Sequence, residues 1–100
     1  MNNKITVLLC PPGSKPKLIE IYNEVKVMEE LLEGRLGIKV LEEDGICLVF
    51  NDEGHTKALD LNRVIQEDPI FGSCFFCRKE GERFTSLTEE EILDLEHLLA

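Results

Sequence analysis

The sequence predicts an α+β fold: a mostly antiparallel sheet of about five strands with two helices, the C-terminal one amphipathic and packed on the sheet. Three observations carry this. Short apolar runs bounded by Pro, Gly, Asn and Asp recur between Lys4 and Glu80, the pattern of strands joined by tight turns. Two segments, 23–33 and 88–100, instead repeat apolar residues at helical spacing. No internal repeat, low-complexity stretch or linker interrupts them, so the 100 residues are expected to form one domain.

"KITVLLC" (Lys4–Cys10) is branched and apolar, a buried strand that Pro11, Pro12 and Gly13 end. In "KPKLIEIYN", Leu18, Glu20 and Tyr22 alternate with Ile19 and Ile21, giving a half-exposed strand that returns antiparallel to the first. Asn23 is the expected N-cap of the first helix, whose Val25, Met28 and Leu32 share one side until Gly34 stops it. "GIKVLEEDGICLVFNDEG" is the clearest hairpin: Ile38 and Val40 face one way, Lys39 and Leu41 the other, and "EEDG" turns the chain. Ile46–Phe50 is apolar on both faces, as a central strand would be. Lys57–Arg63 reads as a short strand or an irregular connection, and Val64–Ile70 is ambiguous. "IFGSCFFC" reads as a strand, closed by a turn at Gly81. "TEEEILDLEHLLA" opens on a capping box, Thr88 with Glu91, and offers Ile92, Leu95, Leu98 and Leu99 as its buried stripe. Both helices are expected on one face of the sheet.

The net charge of −9 is unevenly placed. Residues 29–56 carry eight acids against Arg35 and Lys39, and residues 84–100 carry five acids and no Lys or Arg. Such a surface disfavours direct contact with nucleic acid or an anionic membrane and suits a basic partner. It also keeps a small protein soluble. No run approaches the about 20 apolar residues that span a bilayer, and Ile5–Cys10 is too short for a secretory signal. The expected location is the cytoplasm, where Cys10, Cys47, Cys74 and Cys77 stay reduced.

The C-x-x-C at Cys74–Cys77 invites a zinc or redox reading. Zinc needs a sharp turn that brings both sulfurs to one metal. Phe75–Phe76 favours an extended strand, in which residues three apart point to opposite faces. A redox pair needs a helix N-terminus behind the first cysteine, and "CRKEGE" leads to a turn. The thiols are therefore expected to pack as small apolar side chains, with no metal, cofactor or catalytic residue assigned. His55 and His97, the available bases, sit in no nucleophile motif. "PPGSKPK" lacks the phosphate-loop frame and precedes a strand, although Lys15 and Lys17 make a basic spot on an acidic chain.

Two clusters remain as candidate binding residues. Asn51, Asp52, Asn62 and Arg63 end a central strand and occupy the connection after it, where a rigid sheet positions loops. Glu42, Glu43 and Asp44 form an acidic hairpin turn.

The strand ending in "PPG", then "IEI", "LEGRLGIKVL", "DGICLVFNDEG", "LDLNR", "FGSCFFC" and the closing "LTEEEI" together resemble the family called domain of unknown function 3846. The resemblance covers almost the whole chain. It implies a small cytoplasmic protein of phages, plasmids and related mobile elements, and places Asn51, Gly54, Asn62 and Arg63 on recurring motif positions. It implies no catalytic residue.

The expected function is that of a non-enzymatic binding protein that inhibits or titrates a host factor, such as a defence nuclease, through its acidic surface. The alternatives are sequestration of an anionic, nucleotide-like molecule by Asn62, Arg63 and Lys15, across a homo-oligomer interface, and a thiol- or zinc-dependent enzyme.

Overall fold

A computed structural model describes residues 3–54 and 57–99. Strand β1 (Lys4–Cys10) ends at the two prolines, which have no N–H to give a ladder, and β2 (Lys17–Tyr22) returns beside it with Val7 opposite Ile19. Helix α1 (Val25–Leu32) follows, then the hairpin of β3 (Leu36–Val40) and β4 (Ile46–Asn51). Next come β5 (Leu61–Ile65), β6 (Asp68–Phe71), β7 (Cys74–Glu80), β8 (Arg83–Thr85) and helix α2 (Glu89–Leu99). The main sheet has six strands, ordered β2-β1-β7-β4-β3, with β8 also pairing β7, and β5–β6 is a separate hairpin. The class is α+β and the pairings among the described residues are antiparallel. The described residues form eight strands where about five were expected: the ambiguous stretches on either side of Val64 fold as β5 and β6, and the chain beyond the Gly81 turn returns along β7 as β8, the sixth strand of the main sheet.

The sheet is buried on both sides, by different elements. Along β1, Ile5, Val7 and Leu9 join Cys47, Val49, Phe75 and Cys77 under Met28 and Leu32 of α1. The alternate residues Leu8 and Cys10 join Leu48, Cys74 and Phe76 under Leu95 of α2 and Ile65 and Ile70 of the β5–β6 hairpin. The period of two along each strand sorts the two sets. The expectation of both helices on one face is thus corrected: β4 and β7 are apolar on both faces because each face has its own cover. The central strand is β7, with β4 interior beside it.

Four local departures have physical causes. Asn23 is not the cap of α1: Glu24 holds that position without a side-chain cap bond, while Asn23 donates through Nδ2 to the Phe84 carbonyl (2.9 Å). Gly34 does not supply the left-handed residue at the end of α1; Glu33 does (φ 62°), and Gly34 instead makes room for Asn51, whose Nδ2 would lie 2.6 Å from a Cβ there. The stretch "IFGSCFFC" is broken at Gly72, which adopts φ 79° between β6 and β7. Leu98 is 69% exposed and not part of the buried stripe, which is Ile92, Leu95 and Leu99. It lines a surface hollow with Leu41 and Val64 instead.

The capping box is formed as expected: the Thr88 hydroxyl accepts from the Glu91 N–H (3.2 Å), and the Glu91 carboxylate accepts from the Thr88 N–H (2.9 Å). The other oxygen of Glu91 accepts from Arg78 (2.6 Å), which ties the first turn of α2 to the centre of the sheet.

Candidate functional site

The polar residues at the end of β4 are held by the fold itself. Asn51, 3% exposed, donates through Nδ2 to the Leu32 carbonyl at the end of α1 (2.9 Å) and accepts from the Glu53 N–H through Oδ1 (2.8 Å). It satisfies an orphan helix carbonyl and a turn amide together. Asp52 is exposed and pairs with Arg35 (3.1 Å) across the β3–β4 ladder.

Asn62 does the corresponding job on the other face. Its Nδ2 donates to the carbonyls of Cys10 (2.7 Å) and Gly72 (2.9 Å) and lies 3.7 Å from the Cys74 sulfur, fastening the β5–β6 hairpin to the sheet. Arg63 is half-buried and donates from Nε to Asn62 Oδ1 (3.2 Å). The sheet therefore separates Asn51 from Asn62, and the four residues do not converge on one site. Lys15 and Arg63 line neighbouring hollows that share Leu99, not a common one. His55 lies outside the described residues. His97 is exposed in the last turn of α2.

Glu42, Glu43 and Asp44 stand at the opposite end of β4 from Asn51, roughly 17 Å away at 3.3 Å per residue of strand. All three are exposed, and they line a shallow hollow of about 410 Å³ with Lys79 and Gly81. Asp44 accepts from the Gly81 N–H (3.3 Å), so the acidic turn is braced against the turn after β7.

The acidic turn and α2 meet. Glu42 and Asp94 line a single crevice of about 260 Å³ with Leu41, Ile46, Leu95 and Leu98. A second hollow of about 390 Å³, lined by Leu41, Arg63, Val64 and Leu98, shares two of those leucines. Leu98 and Val64, 69% and 59% exposed, form its open apolar lip. The carboxylates thus sit at one end of an apolar trough and Arg63 at the other. Sequence reasoning assigned Leu98 to the core and so missed it; the sign available was a fourth leucine on a helix too short to bury them all.

The four cysteines are buried and free. Cys74 and Cys77 point to opposite faces, as their spacing in a strand requires, and each stands opposite another cysteine: Cys74 opposite Cys10, Cys77 opposite Cys47. The Cys47 and Cys77 sulfurs are 3.5 Å apart. A hydrogen bond from Cys74 holds the Cys10 thiol below its ordinary range against the opposing effect of burial, and the charge of Arg63 lowers it further. Cys74, the donor, is pushed up. Cys77 and Cys47 repeat the arrangement on the other face.

The family model described as Domain of unknown function (DUF3846) matches residues 5–100. The chain belongs to that family. No curated protein and no solved structure matches it. This DUF3846 protein has, among its described residues, no helix long and apolar enough to cross a membrane. In it Asn51 and Asn62 each fasten a separate covering element, and the exposed chemistry is the acidic, apolar trough beside α2.

Proposed function

We propose that this protein is a non-enzymatic binding module. It docks a basic segment with an apolar face, carried by a host protein, and thereby blocks or titrates that host factor. A nuclease of a defence system, whose nucleic-acid groove is basic, is the partner class that best fits. A mobile-element origin and a cytoplasmic location are part of this reading.

One observation carries it: the two acidic segments of the sequence come together, through Glu42 and Asp94, around a crevice floored by leucines. Apolar anchors give such a contact its affinity, and the carboxylates give it rate and specificity. The attraction between exposed charges weakens as salt shortens the Debye length, about 10 Å at 0.1 M.

The test is differential capture. Tagged wild-type protein and the Glu42→Lys/Asp94→Lys variant are exposed to the same host extract at low and high salt. The reading predicts a nuclease retained by the wild type, released by salt, lost with the variant and inhibited in its activity. Equal retention by both proteins would contradict it.

A further inference from the structure

β7 is the only strand in the described main sheet that faces a cysteine on each flank, Cys10 on β1 and Cys47 on β4. The ladder bonds fix the type of each pair. Lys79 N–H donates to the Gly45 carbonyl, so the alternate residues Cys47 and Cys77 also turn their N–H and C=O groups toward each other. On β1, Asn3 bonds Asn23 beyond β2 while Thr6 bonds Leu87 on the other side, so the even-numbered Leu8 and Cys10 face β7. Both cysteine pairs thus occupy hydrogen-bonded positions. There the Cβ atoms stand near the wide end of the cross-strand range of about 4.5–5.5 Å, whereas a disulfide prefers about 3.5–4.5 Å. A bond closed at such a position is strained and readily reduced.

The pairs differ in what covers them. Cys47 and Cys77 lie in strand interiors beneath α1. Cys10 is the last residue of β1 and Cys74 the first of β7, and their cover is the β5–β6 hairpin, a two-stranded unit outside the main sheet. Such a unit has little stability of its own. It is held by packing of Ile65 and Ile70, by the Lys39–Asp68 ion pair and by Asn62, whose amide contacts the Cys10 carbonyl and the Cys74 sulfur. Strand ends under a detachable cover open at lower free energy than the centre of a sheet.

The geometry points to a reversible modification site: Cys10 and Cys74 form a dithiol that closes to a strained disulfide when the β5–β6 hairpin lifts, with a peroxide as oxidant. One thiolate attacks the peroxide, breaking the O–O bond to give a sulfenic acid and, with a proton, water. The second thiolate displaces hydroxide from that sulfur as the S–S bond forms, and a proton turns the hydroxide into a second water. Two thiols and one hydrogen peroxide become one disulfide and two waters. The hydrogen bond from Cys74, which holds the Cys10 thiol below its ordinary range and stays in place when the hairpin lifts, favours Cys10 as the first nucleophile.

The test treats the full chain with hydrogen peroxide under native conditions and follows intact mass and peptide maps with time. The expected product has lost two hydrogens, links Cys10 to Cys74 before any Cys47–Cys77 link appears, and reverts in excess reduced glutathione. Cys47→Ala must oxidise as the wild type does, and Cys10→Ala must not form the early product. Asn62→Ala is expected to speed closure about tenfold, the loss of one or two hydrogen bonds from the clamp. The wild-type order of linkage stands alone if that variant does not fold. Both pairs closing at one common rate, a Cys47–Cys77 link first, or oxidation of single thiols without a link would each overturn the proposal.

Discussion

Glu42 and Asp94 share the wall of one crevice, although one belongs to the turn after β3 and the other to α2. Neither carboxylate is in an ion pair with a described residue, so their charge is directed at whatever enters. The two acidic segments of the sequence become one surface through this juxtaposition, with leucines between them.

Reversing both charges should therefore separate binding from folding. Glu42→Lys/Asp94→Lys is expected to leave stability within about 0.5 kcal/mol, as exposed substitutions do. Affinity for a cationic partner should fall at least about tenfold at 0.1 M salt, with a flatter salt dependence. Urea unfolding and calorimetric titration read the two quantities.

The leucines of α2 should divide in the same way. Leu95 is 2% exposed, and Leu95→Ala should cost about 2–5 kcal/mol of stability. Leu98 is 69% exposed, so Leu98→Ala should cost less than about 1 kcal/mol while weakening partner binding. Comparable losses of stability in the two variants would mean that Leu98 packs in the core and is not available to a partner.

Asn51 should behave as a structural residue. Removing its amide leaves the Leu32 carbonyl and the Glu53 N–H without their side-chain partner, and Asn51→Ala is predicted to lower stability by about 1–3 kcal/mol. Asn51→Asp keeps the acceptor and loses the donor, so it should also destabilise. Chemical denaturation of the unliganded protein checks both; unchanged midpoints would return Asn51 to the list of ligand-binding residues.

The first turn of α2 offers a comparison of cap and ion pair. Thr88→Ala removes the hydroxyl that accepts from Glu91 and should cost about 1 kcal/mol. Glu91→Gln can keep the reciprocal capping bond while losing the charge that meets Arg78, and should cost more, because the Glu91 side chain is only 13% exposed. Thermal melts that rank the variants in the reverse order would show that the cap matters more than the tie to β7.

Much of the fold was readable in the chain because single residues carried it. The prolines after Cys10, the alternation of Ile19 and Ile21 with Leu18, Glu20 and Tyr22, and the Thr88–Glu91 box each act locally. The β5–β6 hairpin was not readable, since its turn uses Gln66 and Glu67 at φ 46° and 72° where Asn-Gly is the usual signal. The roles of Asn23 and Asn51 depend on Phe84 and Leu32, distant partners that no local pattern names. The straight path through Phe75 and Phe76 was evident from residue type. That each flanking sulfur meets a second cysteine was not, because strand order decides it. The crevice was hidden for the same reason: the sequence marked both acidic segments but could not say that they touch.

The measurement closest to the central claim is a two-dimensional amide NMR titration of the full chain with a synthetic Lys/Leu amphipathic helical peptide. The account predicts chemical-shift changes concentrated at Leu41, Glu42, Gln66, Asp94 and Leu98, saturable at low ionic strength and much reduced near 0.5 M salt. Changes centred on the opposite face, around α1, or an interaction indifferent to both salt and the Glu42→Lys/Asp94→Lys exchange would contradict it.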